Sequence, residues 1–135
     1  MKTPQQIFEL MYNNDPFSKL LGMKLIEITD GYCKLQMQVT EQMLNGFGIA
    51  HGGITYALAD SALAFASNAK GIQSVSIETS INHLSKVALN DILTATTEEK
   101  NSTSRTALYF INITNQNHTV VAIFKGLVYR TGKEW

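Results

Sequence analysis

The chain has 135 residues, 44% of them hydrophobic, and its eleven basic side chains cancel its eleven acidic ones. That length suits one domain spanning 1–135 that buries roughly two-thirds of its unfolded surface, and the apolar content excludes global disorder. Charge neutrality leaves no electrostatic footprint for nucleic acid or an anionic membrane.

A single cysteine, Cys33, rules out an intrachain disulfide and suits a reducing cytoplasm. The first residues lack the uninterrupted apolar run of a signal peptide. The only long apolar segment, 54–66, is too short for a membrane span and contains Asp60. The expectation is a soluble, cytoplasmic protein.

Thr3-Pro4 before Gln5 to Tyr12 predicts a capped helix with Ile7, Phe8 and Met11 on its apolar stripe. Asn13 to Pro16 breaks it, and Phe17 to Leu21 adds a further turn. Residues 23–29 and Tyr32 to Thr40 alternate around Asp30-Gly31, the signature of a β-hairpin. Glu41 to Leu44 forms a short turn before a glycine-rich loop. A long alanine-rich helix then runs from Gly52 to Ala69 and stops at Gly71. Four strands follow: Ile72 to Leu84, with Val75, Ile77 and Ile81 on one face, then Asp91 to Lys100, Arg105 to Thr114 and Thr119 to Arg130. The order predicts an α+β domain whose antiparallel sheet wraps one buried helix.

At 100° per residue, Ile54, Leu58, Ser61, Ala62 and Phe65 share the helix face expected against the sheet. Tyr56, Asp60, Leu63 and Ser67 fall opposite, on a face too apolar for simple solvation. A partner subunit and a ligand cleft would cover it.

Asp60 is a poor residue for a helix interior, and burying it unpaired is costly. A structural carboxylate and a catalytic one both fit that position. The glycines from Gly46 to Gly53 are not a nucleotide loop, because His51 takes the third position of the G-x-G-x-x-G pattern and no Gly-Lys-Ser/Thr follows. Glycines at a helix start do leave N–H groups accessible to an anion or a developing oxyanion. His51 fits a loop-holding role better than proton transfer. No G-x-S-x-G elbow exists, and His51, His83 and His118 lack zinc spacing, so no metal is expected. Cys33 reads as core filler.

At Gln42-Met-Leu-Asn45-Gly46, His51-Gly52-Gly53 and Leu58-Ala-Asp60-Ser-Ala62 the chain resembles hotdog-fold acyl-CoA thioesterases of the phenylacetic acid degradation type. The resemblance implies a hotdog fold and hydrolysis of an acyl- or aryl-acyl-CoA, such as phenylacetyl-CoA or a hydroxylated derivative. It implies Asp60 as nucleophile or general base, the Gly52 N–H as donor to the thioester oxygen, and Asn45 positioning substrate or water. His51 and Gly53 complete the motif beside the substrate. It also implies a homodimer or a dimer-of-dimers homotetramer, with no cofactor beyond the CoA of the substrate. Two departures stand out. His83-Leu-Ser-Lys86 replaces a Phe-Leu-Arg-Pro-like segment, and Thr103-Ser104-Arg105 replaces a Gly-Lys or Gly-Arg turn, which leaves Lys86 and Arg105 as candidates for phosphate contact or as plain surface charges. A hotdog hydratase or dehydratase, or a non-catalytic acyl or aromatic ligand binder, is the alternative.

Gly52 and Asp60 lie eight residues apart, or ~12 Å along one helix at 1.5 Å per residue. A reacting carbonyl must come within about 3–4 Å of both. Two antiparallel helices around a two-fold axis satisfy that, with Asp60 of one chain facing Asn45 and Gly52 of the other. Tyr56 and Leu63 would then form interface and acyl-pocket wall.

Overall fold

The computed structural model describes residues 1–135. Helix α1 (Pro4–Asn13) starts as its sequence dictates: Thr3 Oγ1 accepts from Gln6 N at 3.2 Å, and Gln6 Oε1 accepts from Thr3 N at 2.9 Å. This capping box satisfies two donors that a helix start otherwise leaves open. A short α2 (Pro16–Leu20) follows, then the hairpin β1 (Lys24–Thr29) and β2 (Tyr32–Gln38), with Thr29 paired to Tyr32 across Asp30-Gly31. Gly31 has φ +75°, and a Cβ there would lie 2.7 Å from both Glu99 Oε2 and Lys70 Cε, so only glycine fits.

Helix α3 (Gly52–Asn68) packs on the inner face of one antiparallel sheet ordered β1-β2-β4-β5-β6-β3. Its remaining strands are β3 (Ile72–His83), β4 (Ile92–Ser102), β5 (Thr106–Thr114) and β6 (Val120–Glu134), with β1 and β3 at the two edges. Alternation places Cys33, Leu35 and Met37, Leu93 and Ala95, Tyr109, Ile111 and Ile113, and Phe124 and Val128 against the helix. This is the hotdog arrangement. Burial pushes the Cys33 thiol up to about 12, which keeps it an apolar core group rather than a nucleophile. No helix is long and apolar enough to cross a membrane.

Two expectations need correction. Val75, Ile77 and Ile81 do not share a face, because a bulge between Ser76 and Glu78 shifts the register. Val75 and Ile77 are 55% and 57% exposed, whereas Thr79 meets Tyr56 and Ile81 packs on the core. The helix face opposite Leu58 is also not free. The sheet curls far enough to bury Leu63 and Ser67 and to set Phe124 edge-on to Tyr56 at 5.1 Å between ring centroids. What stays open is a narrow stripe of Gly53, Ala57, Asp60 and Ala64, since Ser61 bonds Ser18 of α2 at 3.0 Å.

The curl depends on close approach. A Cβ on Gly126 of β6 would sit 2.4 Å from Leu63 Cδ2 and 3.2 Å from its Cδ1. Gly126→Ala should therefore cost about 1–3 kcal/mol through overpacking. Combined with Leu63→Ala it should cost less than the two single changes added together, because the second change removes the clash. Urea unfolding of the four proteins checks this, and strict additivity would exclude the close contact as the cause.

Candidate active site

The loop before α3 is held by its own hydrogen bonds. Asn45 Oδ1 accepts from Phe47 N at 2.9 Å and Ile49 N at 3.4 Å, and Asn45 N donates to Ile49 O at 2.8 Å. His51 N reaches Met43 O at 2.8 Å, and Ala50 N reaches Val87 O at 2.9 Å. The loop therefore delivers the chain to the helix in one conformation. His51 is the N-cap: its Nδ1 accepts from Gly53 N at 2.9 Å and its carbonyl accepts from Ile54 N at 2.9 Å.

That accounting isolates one donor. Gly53 and Ile54 are satisfied by His51, while the Gly52 N–H has no partner in the chain. It borders a cavity of about 400 Å³ with Asn45, Thr55, His83 and Lys86. Thr55, only 3% exposed, forms part of its wall. Because Asn45 commits its carbonyl oxygen to the loop, its amide Nδ2 is the group left to bind something else. Donors gathered at a helix start favour an oxyanion.

Asp60 has the opposite character. It is half-buried, its carboxylate accepts no hydrogen bond from the chain, and burial alone pushes its pKa up from the ordinary carboxylate range. It opens into a second cavity of about 400 Å³, with Met11, Leu63, Ser76, Val128 and Trp135 among its walls. A half-desolvated carboxylate without partners is a stronger base and nucleophile than a solvated one.

The structure thus brings Asn45 together with Gly52, and Asp60 together with Leu63, in two separate cavities of one chain. His51 and Gly53 are exposed at the loop and line neither cavity. Tyr56 also lines neither cavity: its ring meets Phe124 and its hydroxyl Thr79. Lys86 borders the Gly52 cavity, whereas Arg105 belongs to a third, of about 720 Å³, with Lys70 and Arg130. Sequence reasoning missed Ser76, Trp135, Thr55 and the His83 ring, whose Nε2 stands 3.2 Å from where a Gly52 Cβ would be. A signal for Ser76 existed. From the turn at Gly71, eleven residues back along the helix and five along a returning strand both cover about 16 Å.

A curled antiparallel sheet around one helix, with donors at the helix start and an unpaired acid in its middle, defines the hotdog class of thioester-processing protein. Residues 47–122 match the model of the thioesterase superfamily. The acyl-coenzyme A thioesterase PaaI of Escherichia coli K12 is 39% identical over 122 residues, 90% of this chain and 87% of that protein. The solved structure of the E. coli PaaI protein from the phenylacetic acid degradation operon superposes with a TM-score of 0.94 at 37% identity, over 97% of this chain and 95% of that one. A Streptococcus mutans protein bound to acetyl CoA gives a TM-score of 0.81 at 26% identity, over 84% and 91% of the chains. The chain belongs to the thioesterase superfamily and is a thioester hydrolase.

The raised Asp60 pKa has a stability consequence with a definite sign. The folded state binds this proton more tightly than the unfolded chain does. The resulting stabilisation is complete below the unfolded carboxyl pKa of about 3.9 and is lost as pH rises through the folded value. Asp60→Asn should therefore melt at a higher temperature than the native protein at pH 7, and the gap should close towards pH 4. Thermal melts across that range measure it, and a variant less stable at pH 7 would show a stabilising partner for the carboxylate.

Proposed function

We propose that the protein hydrolyses acyl-CoA thioesters to a free acid and CoA at a site shared between two copies of the chain. The observation that carries this reading is the division of the chemistry along α3. The unpaired Gly52 N–H and the unpaired Asp60 carboxylate border different cavities, ~12 Å apart along a rigid helix. The open stripe of Gly53, Ala57, Asp60 and Ala64 supports it further, since small residues let a second helix approach closely.

In the dimer, Gly52 N–H of one copy polarises the thioester carbonyl at the helix start, and Asn45 Nδ2 lies beside it to position substrate or water. Asp60 of the other copy either attacks the carbonyl carbon to give an anhydride, which water then opens, or takes a proton from the attacking water. Both routes expel CoA thiolate, a good leaving group that needs no strong acid. Water supplies the oxygen of the carboxylate product and the proton that ends on CoA. No cofactor beyond the CoA of the substrate enters, and no group of three or more His, Cys, Asp or Glu side chains is placed to hold a metal. Lys86, which lines the Gly52 cavity, is the candidate cation for a phosphate of the CoA. An aryl-acyl group and a role in phenylacetate breakdown in the cytoplasm are the finer reading, supported by likeness to PaaI. A dimer, or a tetramer built from two dimers, is the assembly this chemistry needs.

Complementation tests the shared site. Asp60→Asn should lower kcat about 10²-fold or more. Gly52→Pro removes the N–H at the first helical position, where proline is tolerated, and His51 at ψ 137° already has the backbone that precedes proline. It should cost a similar factor of 10²–10³. If the two variants are co-expressed with two tags, half of the dimers formed at random are mixed, and each mixed dimer keeps one intact site of two. About one quarter of native activity should return. No recovery in isolated mixed dimers would place both groups of a site in one subunit and end this reading.

A further inference from the structure

Trp135 lines the cavity that holds Asp60, on the side of Asn68. Trp135 follows β6 and turns its indole towards α3, where Nε1 donates to Asn68 Oδ1 at 2.9 Å. Its backbone N donates to Gly71 O at 3.1 Å, and its carbonyl accepts from Lys2 Nζ at 2.8 Å. Asn68 is itself fixed. It is only 1% exposed, its Nδ2 donates to Ala64 O at 2.8 Å and Ser74 O at 3.0 Å, and its Oδ1 also accepts from Ser74 N at 2.8 Å. The indole is thus held by a partner with no freedom of its own.

Asn68 lies eight residues beyond Asp60, or ~12 Å along the same helix. Leu63, Ala64 and Ser67 form the wall between them, and Met11 and Val128 line the cavity as well. An acyl group whose carbonyl meets Asp60 therefore runs along α3 towards the indole. At about 400 Å³ the cavity is near the small end of the range for ligand pockets, about 300–1,000 Å³, so what stands at its end matters.

We infer that Trp135 is the specificity-determining residue of this enzyme, closing the acyl pocket opposite Asp60 and limiting the length of acyl group accepted. The inference rests on the proposal that Asp60 acts on the thioester carbonyl. Shortening the side chain opens the end of the cavity to longer chains and removes a ring surface from short or aromatic ones. Trp135→Phe retains a ring at that place and loses only the bond to Asn68.

Two measurements decide it. Trp135 is the only tryptophan in the chain, so its emission reports on this cavity directly. Native protein titrated with phenacyl-CoA, a thioether that cannot be hydrolysed, should show a saturable emission change that CoA alone does not produce. Thiol release from acetyl-, hexanoyl-, dodecanoyl- and phenylacetyl-CoA should then show Trp135→Ala shifting the ratio of kcat/KM for dodecanoyl over hexanoyl upward by roughly tenfold. Trp135→Phe should stay near the native ratio. Equal losses for every substrate in both variants would make Trp135 a structural residue only. Calorimetric binding of phenacyl-CoA without an emission change would place the acyl group elsewhere. Should Trp135→Ala fail to fold, the titration of native protein and the Phe variant still decide. Failure of the Asp60 proposal is separate: it appears as native turnover in Asp60→Asn and leaves the emission result standing.

Discussion

An α-helix cannot be shortened. Its 1.5 Å rise keeps groups eight residues apart at about 12 Å, and the unpaired Gly52 N–H and Asp60 carboxylate of α3 are spaced that far. The rest of the molecule is arranged around that rigidity. The loop from Asn45 to His51 fixes where the helix begins, and Asn68 with Gly71 fixes where it ends. The sheet buries its long sides and leaves only the stripe of small residues containing Asp60 open. A helix apolar on nearly all sides must be enclosed, so the residues it leaves uncovered are informative.

The enclosure is tight at its ends as well as its middle. Lys70, just past α3, meets Glu99 of β4 at 2.9 Å, and the buried Tyr109 of β5 donates to the same carboxylate at 2.9 Å. Burial would raise the Glu99 pKa, but the hydrogen bonds from Lys70 and Tyr109 outweigh it and hold the carboxyl below its usual range. Asp60 shows what the absence of such partners does: desolvation with nothing to offset it leaves its pKa raised. Two half-buried acids in one small domain thus take opposite directions for a reason visible in their neighbours. One is tied into the fold by its partners, and the other is left without any.

Much of this was legible in the sequence because short-range rules govern it. Thr3-Pro4 with Gln6, Asp30-Gly31, and Gly71 after an alanine-rich run each specify a local geometry through one or two residues, and the elements begin and end there. The spacing of Gly52 from Asp60 needed only the helix rise. The misses are all non-local. A bulge at Ile77 turns the strand over, and no pattern in β3 announces it. Burial of Leu63 depends on Gly126, more than sixty residues away, and the indole of Trp135 reaches Asn68 across 67 positions. Periodicity placed Tyr56 and Leu63 on an open face because it assumes a flat neighbour, whereas the sheet curls.

The unpaired groups on α3 are also the strongest physical argument that the site is built for use. No fully buried side-chain nitrogen or oxygen in the chain lacks a hydrogen-bond partner, so this fold satisfies its polar groups wherever water cannot reach them. Asp60 and the Gly52 N–H stand apart from that economy. One is an acceptor and the other a donor, and each borders a cavity that water can still reach. A helix that merely needed enclosing would do better with alanine at position 60, which has higher helix propensity and no desolvation penalty. In the proposed mechanism, the cost of holding a bare carboxylate there is recovered when a polarised carbonyl arrives between it and an N–H. Within one copy that carbonyl cannot reach both, so under that proposal the same unsatisfied groups that make the isolated chain less stable also favour its pairing with a second.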